Sequence, residues 1–166
     1  MLVVGVDPGK HGGITALDAK SGDIVFSEIF PLMAGQLDPK LMYELLCHLL
    51  TPRLEEQKLM VFCEKVGARP GQAAKAMFTF GTGFGYLHMA FVALGLSYEL
   101  VAPHLWSKVM HAGVDTRIKD TKKRSWIAAS RLWPSEDFKV HSKPHDGLFE
   151  AALIAEYGRR KSAGGN

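Results

Sequence analysis

Six residues near the start of the chain, Leu2–Val3–Val4–Gly5–Val6–Asp7, followed at once by Pro8–Gly9, restrict its fold more than any other stretch. The apolar, β-branched run is that of a buried strand, and Pro-Gly makes the chain turn directly after it. The strand ends in a carboxylate, and an ionised carboxylate is expensive to desolvate. Asp7 therefore either caps the turn, bonding the backbone two residues on, or serves chemistry at the strand tip. On Asp7 alone the two readings are balanced; other acids placed in the same way tip the balance.

The sequence has 166 residues. It is expected to form a single domain over residues 1–160, with 161–166 a disordered basic, glycine-rich tail. No apolar run approaches a membrane span, and neither a signal-like leader nor a transit peptide is recognisable, so no membrane partner is expected. Cys47 and Cys63 lie in apolar contexts. Two cysteines make no disulfide framework, and they read as core thiols in an intracellular, reducing compartment.

The net charge of +3 hides an asymmetry. Residues 1–100 carry 8 lysines and arginines against 10 acids, whereas residues 101–166 carry 12 against 7. The excess is densest from Lys108 to Arg124, either a solvated helix face or a surface for a polyanion such as nucleic acid.

Strands are expected at Leu2–Asp7, Ile14–Leu17 and Ile24–Ile29, joined by short turns into an antiparallel meander with the first strand central. Asp38–Pro39 starts a helix, Asp as cap and Pro in the first turn, running to about Leu50. Lys58–Glu64 is a further strand ending in an acid. Because a helix precedes it, it should run parallel to the first strand. Both carboxylates then emerge at the same C-terminal sheet edge, where open α/β sheets place their sites. Val66–Gly71 reads as a loop. A helix follows from Gln72 to Leu94, interrupted by Gly81, Gly83 and Gly85. Then come a strand at Leu96–Val101, a short helix at Pro103–His111, a helix from Asp120 to Trp133, an irregular loop over Ser135–Pro144, and a last helix from Asp146 to about Arg160.

Asp146 and Glu150 are spaced i, i+4 and so share one helical face, where like charges repel. Asp7, Glu64 and this pair make an oxygen-only set suited to Mg²⁺ or Mn²⁺. Two such ions per active site are the usual device for in-line attack of water on a phosphodiester. Taken singly, Glu64 and Glu150 each read more readily as solvated rim residues; taken together, four acids at two strand ends and one helix start argue for a site.

The order "GVDPG", a strand ending in Glu64, and "HDGLFEAALIAEYGRR" over nearly the whole chain resembles the RuvC-type Holliday-junction resolvases of the ribonuclease H-like superfamily. The four-residue spacing of Asp146 and Glu150 is similar to the variant branch found in phages and chloroplasts; the commoner bacterial form has two Asp three apart. The resemblance implies an α/β, ribonuclease H-like fold with a five-stranded mixed sheet of order 3-2-1-4-5 flanked by helices. It also implies a homodimer cutting four-way DNA junctions by paired symmetric nicks, and, for a phage gene, a bacterial cytoplasm. Asp7, Glu64, Asp146 and Glu150 would hold the metals, and Lys122 would act at the scissile phosphate, where an ammonium offsets developing charge.

Other residues read as DNA contacts: Lys10 just after Asp7, Arg69, Lys75, Phe78 and Phe80 around the glycine-rich stretch, Lys119, Lys123 and Arg124 beside Lys122, and His145 next to Asp146. Glycines permit close backbone approach and aromatics stack on bases, although the same stretch reads equally as a dimer or core helix. It is not a dinucleotide fingerprint, since no strand leads into it. The rivals are a similar nuclease for other branched DNA or structured RNA, a junction-binding protein without turnover, and, remotely, an actin-like kinase lobe suggested by "GVDPGKHGG".

Overall fold

The computed structural model describes residues 1–164 except 66, 68–70 and 72. Its elements in chain order are β1 (Leu2–Asp7), β2 (Gly13–Asp18), β3 (Ile24–Ile29), β4 (Leu32–Met33), β5 (Gln36–Leu37), α1 (Pro39–Glu56), β6 (Leu59–Glu64), α2 (Ala74–Ala93), β7 (Tyr98–Val101), α3 (Pro103–Met110), α4 (Thr121–Leu132), β8 (Lys139–Val140), β9 (Lys143–Pro144) and α5 (Asp146–Ala163). Five strands form one mixed sheet, β3-β2-β1-β6-β7. With the two-residue hairpins set aside, this is the expected 3-2-1-4-5 order with β1 at the centre. β1 pairs antiparallel with β2 and parallel with β6, and β6 pairs parallel with β7.

Both faces of the sheet are covered, which is why β1 is apolar throughout rather than alternating. Leu2, Val4, Val6, Val61 and Cys63 face a core with Met42, Leu46, Leu50, Leu87 and Phe91 of α1 and α2. Val3 and Phe62 face the other core, with Trp106, Ala128, Leu148, Phe149 and Leu153 of α3, α4 and α5. Side chains alternate along a strand, so Gly5 and Asp7 follow Val3, and Glu64 follows Phe62, onto the α5 face.

Several boundaries differ from expectation for identifiable reasons. α1 runs to Glu56, through Pro52, where Arg53 Nη1 bonds the Leu49 carbonyl at 2.5 Å. Its start is as expected: the Asp38 side chain accepts from the Leu41 N–H at 2.8 Å. α2 is not interrupted by its glycines. Gly83 is buried, and a side chain there would overlap Leu37, so the missing Cβ makes room for packing that outweighs weak helix propensity. The expected irregular loop over Ser135–Pro144 contains the hairpin β8–β9, whose turn residues His141 and Ser142 have φ of 49° and 65°. α5 continues to Ala163, which corrects the expectation of a disordered tail for residues 161–163; Lys161 Nζ reaches Glu99 Oε1 at 2.5 Å. Most of the expected loop Val66–Gly71, with Arg69, and the expected helix start at Gln72 lie outside the described residues. Among the described residues no helix is long and apolar enough to cross a membrane. Cys47 and Cys63 are free thiols.

Candidate active site

Parallel register sets the first half of the site. Val6 lies opposite Cys63, so Asp7 and Glu64 follow at adjacent strand ends on the same face. The second half is delivered by α5, which starts at Asp146 over the β1–β2 end of the sheet. Gly147 makes this approach possible, because a Cβ there would collide with the backbone of His11 and Gly12. A residue larger than Gly would push Asp146 away from Asp7.

Each acid has its own anchor. Asp7 Oδ1 accepts from the Gly9 N–H at 3.0 Å, so the turn-capping role is real and coexists with the strand-tip position. Glu64 Oε1 accepts from Trp106 Nε1 at 2.9 Å. Glu150 Oε1 accepts from the Ser125 hydroxyl at 3.1 Å. Asp146 Oδ2 pairs with the Lys122 ammonium. Among the described residues, no three acids, histidines or cysteines converge on a point where they could hold a metal ion as they stand. Each acid is instead held by its own separate partner.

The electrostatics tie the four together. Burial pushes Asp7 up to about 7, helped by the nearby charges of Glu64 and Asp146 and opposed by the Gly9 N–H. Burial likewise pushes Glu150 up to about 8, with Asp7, Glu64 and Asp146 adding to it. Asp146 is also partly desolvated, but the Lys122 ammonium outweighs this and holds it below the ordinary carboxylate range. Lys122 is raised in turn by Asp146. Carboxylates desolvated beside one another gain most from a divalent cation, and their donor chemistry fits a hard one.

A stability signature follows. In the unfolded chain Asp7 and Glu150 ionise near their ordinary values of 3.8 and 4.5, but in the fold near 7 and 8. Between those limits the folded state retains protons that the unfolded state has lost, so stability falls as pH rises from about 4 to about 8. Thermal unfolding in chelator is therefore expected to give a lower Tm at pH 8 than at pH 5. An Asp7→Asn/Glu150→Gln double variant should show a much smaller drop. A wild-type Tm that is flat or rising over this window would contradict the assignment.

The other sequence candidates fall into two groups. Lys123 and Lys122 line a cleft of about 340 Å³ with Asp120, Trp126, Pro144, Asp146 and Phe149, directly beside the acids. Lys119 is exposed on the approach to α4, and Arg124 is half-buried on its first turn. His145 caps the start of α5; burial lowers its basicity against the pull of Asp146, and its Nδ1 has no hydrogen-bond partner among the described residues. Lys10, Lys75 and Phe80 line a second cleft of about 450 Å³ with Gln36, Ala73, Ala76 and Thr79. Phe78 projects from α2, 77% exposed. Arg69 lies outside the described residues. Trp106, His111 and Ser125 were missed as site residues: the tryptophan reads as core and the histidine as unremarkable. Their contacts join residues 14 to 42 apart in sequence, and no local spacing signals them.

No family model and no curated protein matches the sequence. Solved structures do match. Thermus thermophilus RuvC in complex with a Holliday junction substrate aligns with a TM-score of 0.69 at 14% sequence identity, covering 99% of this chain and 96% of that one. A second Thermus thermophilus RuvC structure aligns with a TM-score of 0.60 at 17% identity, covering 98% and 97%. At these identities the likeness is one of fold, and it bears out the α/β architecture with a five-stranded mixed sheet expected from the sequence.

Proposed function

We propose that this chain is a metal-dependent, structure-selective endonuclease that resolves four-way (Holliday) DNA junctions, acting as a homodimer whose two sites place paired symmetric nicks. The observation that carries the reading is the delivery of Asp7, Glu64, Asp146 and Glu150 by β1, β6 and α5 to one face of one sheet edge, beside Lys122. The fold shared with RuvC, seen bound to a Holliday junction substrate in one of the matching structures, supports the substrate class.

The four carboxylates would hold two Mg²⁺ or Mn²⁺ ions. When bound, such a pair lowers the pKa of the attacking water and stabilises the leaving oxygen, giving a 5′-phosphate and a 3′-hydroxyl. The chain's own residues do the rest. Asp7 and Glu64 face the scissile phosphate from the strand tips, and Lys122 places a cation where charge develops in the transition state. Lys10 and Lys75 on one flank, and Lys119, Lys123, Arg124 and His145 on the other, grip backbone phosphates. Exposed Phe78 offers a stacking surface for an unpaired base, and Phe80, in the cleft with Lys10 and Lys75, a second apolar contact. Free thiols at Cys47 and Cys63 suit a reducing, intracellular setting.

Incubating the purified protein and Mg²⁺ with an end-labelled four-way junction tests this. Paired nicks at symmetric positions, with far less product from linear duplex of the same sequence, are expected. Cleavage confined to structured RNA or to another branched DNA would replace the substrate. Junction binding without product at any Mg²⁺ or Mn²⁺ concentration would overturn the nuclease reading.

A further inference from the structure

Two of the four acids are held from behind by one connected set of side chains. Trp106 Nε1 donates to Glu64 Oε1 at 2.9 Å. The Trp106 ring stands edge-on to the His111 ring, with centroids 5.9 Å apart and an interplanar angle of 79°. His111 Nε2 lies 2.9 Å from Ser125 Oγ, and the Ser125 hydroxyl donates to Glu150 Oε1 at 3.1 Å. The set therefore runs from the tip of β6, through α3 and α4, to the first turns of α5.

Donor counting fixes its internal order. A serine hydroxyl has one proton. Once Glu150 is ionised it takes that proton, so Ser125 Oγ then accepts from His111 and His111 carries its proton on Nε2. Burial and the Arg124 charge both disfavour a second proton on His111, which leaves the neutral Nε2–H tautomer. Trp106, His111 and Ser125 are 4%, 5% and 1% exposed. At this burial water competes little for these contacts, and Ser125 Oγ bridges His111 and Glu150. Packing alone would be served by apolar side chains at all three positions. What polar ones add is orientation of two carboxylates, the role that outer hydrogen-bond partners play behind metal ligands.

From this geometry we infer that Trp106, His111 and Ser125 are positioning residues that fix the Glu64 and Glu150 carboxylates for a divalent cation, and so set cation affinity rather than the rate of the loaded enzyme. The inference rests on the nuclease reading for what the cation accomplishes, but not for whether it binds. Calorimetric titration with MnCl₂ of wild type, Ser125→Ala, Trp106→Phe, Glu150→Gln and the Ser125→Ala/Glu150→Gln double variant, together with the Mg²⁺ dependence of junction cleavage, tests it. Ser125→Ala and Trp106→Phe should each weaken Mn²⁺ binding roughly tenfold to a hundredfold. Their cleavage rates at saturating Mg²⁺ should stay within a few-fold of wild type. Ser125→Ala should add little once Glu150 is already Gln, because its effect passes through that carboxylate.

Unchanged Mn²⁺ affinity in both single variants would overturn the inference, as would a lower rate with an unshifted Mg²⁺ dependence, the mark of a merely structural role. A wild-type protein that binds Mn²⁺ but cleaves nothing would sink the nuclease reading and leave the calorimetry to decide this one. A wild-type protein that binds no Mn²⁺ would overturn both.

Discussion

Asp7→Asn is expected to cut junction cleavage by about a thousandfold or more while making the metal-free protein more stable at pH 8. The first half follows from losing the carboxylate at the central strand tip: a metal's contribution to the transition state is several kcal/mol, and about 4 kcal/mol is a thousandfold. The second half follows from what holds Asp7 in place. Its carboxyl is pushed up to about 7 by burial and by its acidic neighbours, so at pH 8 the folded protein carries an ionised group in a setting that disfavours it. Asn keeps an oxygen for the Gly9 N–H and removes the charge, which should raise stability by up to about 4 kcal/mol at that pH. Measuring cleavage and Tm on the same preparation separates this from misfolding. Lost cleavage with a lower Tm would mean damage to the fold, and retained cleavage would remove Asp7 from the site.

Gly5→Ala is expected to be among the most damaging methyl additions to the described residues. Gly5 lies on the α5 face of the central strand, and a Cβ there would fall on the Ala151 carbonyl and on the backbone of Ala155. Ala151, Ala152 and Ala155 are fully buried, so β1 and α5 touch nearly backbone to backbone. Overpacking ordinarily costs about 1–3 kcal/mol. Here the atoms that must yield belong to the main chain of a helix and a strand, which puts the cost at the upper end or beyond. For a chain of this length, about 3 kcal/mol is roughly 10 °C in Tm. Since α5 carries Asp146 and Glu150, cleavage should fall as well, through displaced ligands rather than lost ones. A Tm within about 2 °C of wild type would show that α5 does not bear on β1 in this way.

Much of the site was legible because two periodicities do most of the placing. The apolar run ending at Asp7 and the run ending at Glu64 are each short enough to fix their register. An intervening helix makes them parallel, and alternation then puts both acids on the face that carries Val3 and Phe62. The i, i+4 spacing of Asp146 and Glu150 places them on one helix face without knowledge of the sheet. Other features depend on contacts between distant residues. The turn of β8–β9 at His141–Ser142 takes positive φ without a glycine to announce it. Gly83 supports α2 only because Leu37 fills the space beside it. Pro52 marks a helix end in sequence, yet α1 passes through it. Trp106 reads as core, and it is; its indole N–H on Glu64 is visible only once β6 and α3 are side by side.

Acids from β1, β6 and α5 are proposed to form one cation site. A crystal soaked in MnCl₂, with data collected at the manganese absorption edge, addresses it most directly. Two anomalous peaks are expected between the carboxylates of Asp7, Glu64, Asp146 and Glu150, with the Lys122 ammonium released from Asp146. Manganese bound elsewhere, or no peak among these four side chains at saturating concentration, would contradict it.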